Sequence, residues 1–404
     1  MKKNQGKIRV GILFGGRSGE HEVSLLSAAS VLQAINRSKY DVIPIGITKE
    51  GRWVTAGHAE RLLAGETSEK HLRAGDPEAT QPAAVLRRGE SVLVPPVPSE
   101  ALVPFETAAP AAAQARPPAR PAPPEHVLSV DVIFPVLHGT FGEDGTIQGL
   151  FELAGMAYVG SGVLGSATGM DKDTMHRLFA SAGLPIVKWV TFLRGEWEKS
   201  PRKVRARIEA TLKYPVFVKP ANLGSSVGIT KVHDAKELGP AIDLAAGYDR
   251  KIVVEQGVGG KKGKPRELEV AVLGNDEPEA SVVGEVVPGK EFYDYEAKYL
   301  SEGSDLIVPA KLTKAQTKQV REMAIRAFRA CDCAGLARVD FLMEPGASGR
   351  IYVNEINTLP GFTSISMYPR LWAASGVAYP ELIDRLIQLA IERRAEKDRN
   401  RYSL

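Results

Sequence analysis

Two short segments near the C-terminal end hold the residue types best suited to chemistry, Gly335 to Phe341 (GLARVDF) and Ile351 to Asn357 (IYVNEIN). Both alternate apolar and polar residues, the pattern of a half-buried strand. Every second side chain of a strand shares a face, so Arg338 points with Asp340, and Glu355 with Asn357. The Gly-containing connection from Glu344 to Gly349 predicts a hairpin, which gathers Asp340, Glu355 and Asn357 on one face with Arg338 beside them. Two carboxylates and an amide oxygen suit a hard cation that keeps positions open for phosphate oxygens, namely magnesium. An adjacent arginine suits a developing oxyanion or a phosphoryl group. Acidic and amide residues on the outer face of a hairpin are usually just solvated. Complementary polar pairs on both strands, followed at once by the Gly-containing turn Leu359 to Ser364, favour a site instead.

Three further loops have residue types that fit such a site. Asn222 to Gly228 (NLGSSVG) follows a strand ending near Lys219. Backbone N–H groups of a Gly/Ser loop can close on phosphate oxygens, and Lys219 supplies a point charge. No G-K-[ST] follows, so this is not a Walker A motif. Lys172, in Met170-Asp171-Lys172, is a second candidate phosphate contact. His138 to Gly145 (HGTFGEDG) lies at the C-terminal end of a mostly apolar run, where ligands bind in open α/β sheets, and its glycines admit a ligand close to backbone. Gly15 to Glu22 occupies the equivalent place after the first strand. Phe292 to Tyr299 (FYDYEAKY), flanked by Gly289 and Gly303, reads as a loop that could exclude water from a site.

These residues need a scaffold, and the chain has the material for one. It has 404 residues and is 44% hydrophobic, enough for two or three domains. The net charge of +4 gives no basic stripe that would argue for nucleic acid, and no apolar run is long enough to span a bilayer. The two cysteines, Cys331 and Cys333, have no second pair with which to form a zinc site and read as structural thiols of a cytoplasmic protein. Strand patterns at Ile8–Phe14, Tyr40–Ile47 and Val130–Leu137, with a helix over Val23–Ile35, predict a parallel sheet. Between them, Pro95 to Pro124 holds ten Pro and nine Ala, too little apolar surface to offset ordering entropy. Residues 57–125 therefore read as an insertion, with 95–124 extended or disordered. Helices are expected over Ile147–Leu153, Lys172–Ala182, Lys314–Cys331 and Tyr379–Arg394, and strands over Val216–Pro220 and Lys251–Glu255.

Taken in order, the motifs His138-Gly139…Gly142-Glu143-Asp144-Gly145, Met170-Asp171-Lys172, Val218-Lys219-Pro220, Gly224 to Gly228, Phe292 to Tyr299, Ala337-Arg338-Val339-Asp340 and Asn354 to Gly361 resemble those of the D-alanine–D-alanine ligase family. The resemblance runs from about Ile8 to Ala390, with the Pro/Ala-rich insertion outside it. It implies an ATP-grasp fold: an N-terminal parallel-sheet, Rossmann-like domain (1–160), then two α+β domains (161–255 and 256–404) that sandwich ATP. It implies that two D-alanines are joined through an acylphosphate, for peptidoglycan precursors, with Mg2+ or Mn2+, two ions, on Asp340, Glu355 and Asn357. Lys172, Lys219, Ser225 and Ser226 would hold phosphates, and Arg338 and the Gly361 N–H would face the tetrahedral oxyanion. Glu20 would bind the first ammonium, with His138 nearby, and Tyr299, Ser225 and Glu20 would link to close the lid. Lys298 and Ser366 would hold the second substrate's carboxylate. Glu255 and Val258 would contact adenine, Phe292 would stack on it, and Glu267 would hold the ribose. Depsipeptide-forming relatives commonly have His where this chain has Tyr299, so Lys298-Tyr299 favours D-alanine over D-lactate as second substrate. The family also suggests a homodimer. The alternatives are a D-alanine–D-lactate ligase, another ATP-grasp carboxylate–amine ligase, and a nucleotide-binding module without turnover.

Overall fold

The computed structural model describes residues 6–55, 81–88, 90–94, 101–104, 128–224, 226–259, 263–288, 304–346 and 349–402. Three sheets organise the described residues. In the first, β1 (Ile8–Gly15) pairs in parallel with β2 (Tyr40–Ile47) on one side and β7 (Val132–Pro135) on the other, and β7 pairs in parallel with β8 (Ala157–Tyr158). Helix α1 (His21–Ala34) packs on β1, burying Val23, Leu25, Ala28 and Val31. The C-terminal ends of β1 and β7 thus lie side by side, and the loops that leave them, Gly16 to Glu20 and His138 to Gly145, are neighbours.

The expectation for residues 57–125 needs correction. Beyond β2, the first sheet continues antiparallel through β3 (Trp53–Thr55), β4 (Glu90–Leu93), β5 (Ala101–Pro104) and β6 (Leu128–Ser129). Helix α2 (Gln81–Arg88) adds Ala83 and Val85 to the core. Part of the apparent insertion is therefore sheet and core. The composition of a long window hid two short amphipathic segments, and β5 lies inside the Pro/Ala-rich stretch because its own four residues, ALVP, include three apolar ones before the proline. The sequence pattern also allows one or two helices within Glu60–Ala74, a range outside the described residues.

Helix α3 (Thr146–Leu153) and helix α4 (Val163–Met170) lead to α5 (Lys172–Ser181), whose N-cap Asp171 accepts a hydrogen bond from the Thr174 N–H at 2.9 Å. A second, antiparallel sheet has the order β11 (Thr230–Val232), β10 (Val216–Pro220), β12 (Lys251–Gln256), β9 (Trp189–Leu193). Helices α6 (Arg194–Lys199), α7 (Pro201–Thr211) and α8 (Ala235–Tyr248) accompany it, and Ile242 and Ala245 of α8 cluster with Val216, Val218, Ile252 and Val254. Residues alternate in facing along β10 and β12, so Lys219 and Glu255 are left on the opposite face.

The third sheet is β15 (Ser304–Ile307), β14 (Glu279–Pro288), β13 (Arg266–Gly274), β16 (Gly335–Met343), β17 (Ile351–Asn357), all antiparallel. Helix α9 (Lys314–Ala330) covers one face, with Phe328 and Ala324 packed among Val270, Val339 and Phe341. The other face is covered at one end, where Ala271, Leu273 and Leu336 join α10 (Met367–Ala374) and α11 (Tyr379–Lys397). That same core takes in Phe14, Leu25 and Phe134, so the first and third sheets share one apolar interior. Where helical cover ends, the face turns polar.

Candidate active site

The expected hairpin forms, with β16 paired antiparallel to β17. Arg338 pairs with Asn357 and Asp340 with Glu355. Arg338 donates to both Asp340 oxygens, from Nε at 2.7 Å and Nη2 at 2.6 Å. The Asn357 amide donates to Asp340 Oδ2 at 3.1 Å. A bulge between Asp340 and Phe341 lets Asn354 be accommodated without moving Glu355 off the pair with Asp340. The same face carries a residue that sequence reasoning missed. Glu269 of β13 pairs with Asp340, and its Oε2 lies 3.0 Å from Arg338 Nε. A signal was present, since Glu267 and Glu269 alternate with Leu268 and Val270, but nothing local tells which strand lies beside them.

At the ends of β1 and β7, Glu20 and His138 come together as expected. Glu20 is 8% exposed. A Cβ built on Gly139 would stand 2.6 Å from Glu20 Oε2, and one on Gly224 3.2 Å from it. The Glu20 carboxylate therefore sits between the His138–Gly145 loop and the start of the Gly/Ser loop, and glycine at Gly139, where φ is +76°, is required on both counts. His138 is buried, with Nδ1 3.0 Å from the Leu359 carbonyl and Nε2 3.0 Å from Ser27 Oγ. A carbonyl only accepts, so Nδ1 bears the proton and Nε2 accepts from the Ser27 hydroxyl. Burial holds the imidazole below its usual range, in agreement with a neutral ring. Ser27 Oγ in turn accepts the Phe362 N–H at 3.4 Å. The Tyr379 hydroxyl donates to the Phe362 carbonyl at 2.6 Å, and the Phe362 ring packs on Phe134, Tyr368 and Tyr379. Gly361 is thus held in a turn anchored on both sides.

Glu143, present in a quoted motif without a role, connects the two groups. Its Oε1 accepts the Gly139 N–H at 2.8 Å and lies 3.9 Å from His138 Nδ1. Burial first, and then the Glu20 charge, push its carboxyl well above the usual range, with Arg338 and Glu355 also within electrostatic reach. The pocket at the first sheet therefore abuts the polar face of the hairpin. A cavity of about 250 Å³ opens beside it, lined by Gly16, Trp53, Leu137 and Phe141. A larger hollow of about 420 Å³, lined by Leu312, Lys314 and Arg321, lies along α9 on the far face of the third sheet and has none of these residues.

Both candidate lysines are engaged with protein groups. Lys172, at the start of α5, donates from Nζ to the Leu223 carbonyl at 2.7 Å, and its own N–H meets the Ala221 carbonyl at 3.0 Å, so it holds the base of the Gly/Ser loop. Lys219 Nζ lies 2.6 Å from Glu255 Oε2, and His176 Nε2 3.7 Å from Glu255 Oε1. Burial raises the Glu255 carboxyl, but Lys219 and His176 outweigh it and hold it below the usual range. Ser226 has a left-handed backbone, φ +59°. Val258 and Glu267 are half-buried, just past β12 and on β13. Ser366 caps α10 in position and bonds Thr363 Oγ1 at 2.7 Å. Ser225, Phe292, Lys298 and Tyr299 lie outside the described residues.

A mixed sheet with a parallel half, followed by two antiparallel sheets with helices, is the architecture of the ATP-grasp class. The family described as D-ala D-ala ligase N-terminus matches residues 9–161, and the one described as D-ala D-ala ligase C-terminus matches 178–388. The D-alanine–D-alanine ligase of Bacillus cytotoxicus is 46% identical over 98% of this chain and 99% of its own, and that of Chloroherpeton thalassium 48% identical over 97% and 98%. Among solved structures, the VanG D-Ala:D-Ser ligase of Enterococcus faecalis has a TM-score of 0.77 at 37% identity, covering 95% of this chain and 100% of its own. The D-alanine–D-alanine ligase of Coxiella burnetii has 0.75 at 33% identity, covering 97% and 96%. The chain belongs to the D-alanine–D-alanine ligase family.

Proposed function

We propose that this chain joins two D-alanines into D-alanyl-D-alanine for peptidoglycan precursors, with ATP cleaved to ADP and phosphate. The observation that carries the reading is the meeting of two sites that sequence separates: the Glu20–His138–Glu143 pocket and the Arg338–Asp340–Glu355–Asn357 face, with the Gly361 turn pinned between them. Glu20 takes the ammonium of the first D-alanine. The carboxylate of that D-alanine attacks the γ-phosphate of ATP, held by Lys172, Lys219, Ser225 and Ser226, forming the acylphosphate as ADP departs. The amine of the second D-alanine, its carboxylate on Lys298 and Ser366, attacks the acylphosphate carbonyl. Arg338 and the Gly361 N–H stabilise the tetrahedral oxyanion, which collapses to dipeptide and phosphate. Glu255 and Val258 hold adenine, with Phe292 stacked on it, and Glu267 the ribose. Tyr299, Ser225 and Glu20 link the lid to the pocket, supported by Gly224 lying against Glu20.

The donor chemistry fits magnesium or manganese. Asp340, Glu355 and Asn357 offer hard oxygens from adjacent strands. Among the described residues no group of three or more His, Cys, Asp or Glu is arranged to hold an ion by itself. When bound there, the ions neutralise charge on the transferring phosphoryl group. We further infer a cytoplasmic homodimer acting on small molecules, with neither nucleic acid nor membrane as partner, built from units 1–160, 161–255 and 256–404. Among the described residues no helix is long and apolar enough to cross a membrane. The test is phosphate release from purified protein with ATP and magnesium, products separated. D-alanine alone should give phosphate and dipeptide, L-alanine neither, and added D-lactate no depsipeptide. Absence of phosphate release with D-alanine would refute the reading.

A further inference from the structure

Arg338 faces two demands that a single partner cannot meet. In the arrangement described, both oxygens of Asp340 are turned to the Arg338 guanidinium, and one also takes the Asn357 amide. An Asp340 that directs lone pairs to a divalent ion cannot keep this bidentate grip, because the cations repel and the acceptor directions are the same. A guanidinium released there would swing on its long side chain and lose the aim that oxyanion stabilisation requires. Glu269 removes the conflict. Its Oε2 already lies 3.0 Å from Arg338 Nε, both side chains are largely buried (16% and 9% exposed), and it comes from β13, on the other side of β16 from Glu355 and Asn357 of β17. Two carboxylates on this face, Glu269 and Asp340, contact the one guanidinium, and Glu355 lies opposite Asp340 on the neighbouring strand.

We propose that Glu269 is a positioning residue for the reaction: it anchors Arg338 through Nε when Asp340 turns to the metal, so that the Nη groups stay aimed at the reacting carbonyl. The inference rests on the reading of Arg338 as an oxyanion donor. The experiment compares Glu269→Gln, Glu269→Asp, Arg338→Ala and the double variant R338A/E269Q. Readouts are steady-state kinetics, thermal melting and calorimetric titration of Mn2+ with a non-hydrolysable ATP analogue. Misplacement of a catalytic group by about 1 Å costs on the order of 10²-fold. E269Q should therefore lose roughly 10- to 100-fold in kcat, with KM for ATP and Mn2+ affinity within about twofold of wild type. E269D, which keeps the charge, should recover part of the loss. The double variant should be no slower than R338A alone, since Glu269 acts through Arg338.

Four results would overturn the proposal: E269Q turning over like wild type; losses that multiply in the double variant; a fall in Mn2+ affinity of about tenfold or more, which makes Glu269 a metal ligand; or E269Q and E269D both failing to fold, which makes the contact structural. An R338A enzyme that turns over normally overturns instead the underlying reading of Arg338, a separate and distinguishable failure.

Discussion

Replacing Ser27 with alanine removes one oxygen from the interior, and its consequences can be worked from the contacts. Ser27 is fully buried, and its hydroxyl is the only atom described that touches both His138 Nε2, at 3.0 Å, and the Phe362 N–H, at 3.4 Å. Alanine leaves both without that partner in a site with no exposure. An orphaned buried polar group costs about 1–3 kcal/mol. The longer contact is at the weak limit of hydrogen-bond geometry, so the sum falls at about 2–3 kcal/mol rather than at the maximum for two. In a chain of this size that lowers Tm by roughly 2–4 °C. The activity effect should exceed what stability accounts for. Without Ser27, the ring of His138 and the turn that holds Gly361 are no longer tied to α1 by this hydroxyl, so kcat should fall by about tenfold while KM for ATP, which the proposal places on Lys219 and Glu255 away from this contact, stays level. Calorimetry and coupled phosphate release measure the two effects. Ser38→Ala, whose exposed hydroxyl bonds Asn36 at 2.6 Å, is the control and should change neither. A Ser27→Ala enzyme that melts and turns over like wild type would refute the idea that α1 steadies the catalytic turn.

Other substitutions probe the remaining links. Arg338→Ala should lower turnover by about 10²-fold or more with ATP binding retained, as for a lost oxyanion donor, and near-normal turnover would remove Arg338 from the mechanism. Asn357→Ala should shift the magnesium titration to higher concentration, and an unchanged titration would argue against its ligand role. The buried His138 ring has its pKa held below the ordinary 6.5, so its contribution to stability is present above about pH 6.5 and is lost as pH falls toward the depressed value. The difference in Tm between wild type and His138→Gln should therefore shrink from pH 7.5 to pH 5, and a difference independent of pH would contradict a neutral buried ring. Deleting residues 105–124, which spares β5, should leave kcat and KM within about twofold, and a folded but inactive deletion would give that segment a function.

What could be read from the sequence was what depends on local period. The hairpin of Arg338, Asp340, Glu355 and Asn357 was legible because a two-residue alternation fixes which side chains share a face, and a Gly-containing turn fixes that the strands meet. The parallel sheet followed from strand–helix–strand order. Glu269 and Ser27 were not legible as site residues. Glu269 gains its meaning from the pairing of β13 with β16, and Ser27 from a contact with a histidine 111 positions away. Neither pairing leaves a trace in the residues next to them. The strands β4 and β5 were missed for the opposite reason: each is four residues long, and the proline and alanine around β5 dominated any window wide enough to judge.

The central claim is that phosphate leaves from an acylphosphate of the first D-alanine, and oxygen tracing tests it most directly. D-Alanine labelled with 18O in its carboxylate is incubated with the enzyme, ATP and magnesium, and the released phosphate is examined by mass spectrometry. The carboxylate oxygen that attacks the γ-phosphorus stays with phosphorus when the amine displaces phosphate. One 18O should appear in each phosphate and one in the new amide carbonyl, with ADP unlabelled. Label in AMP with pyrophosphate released, or phosphate without label beside dipeptide, would contradict it.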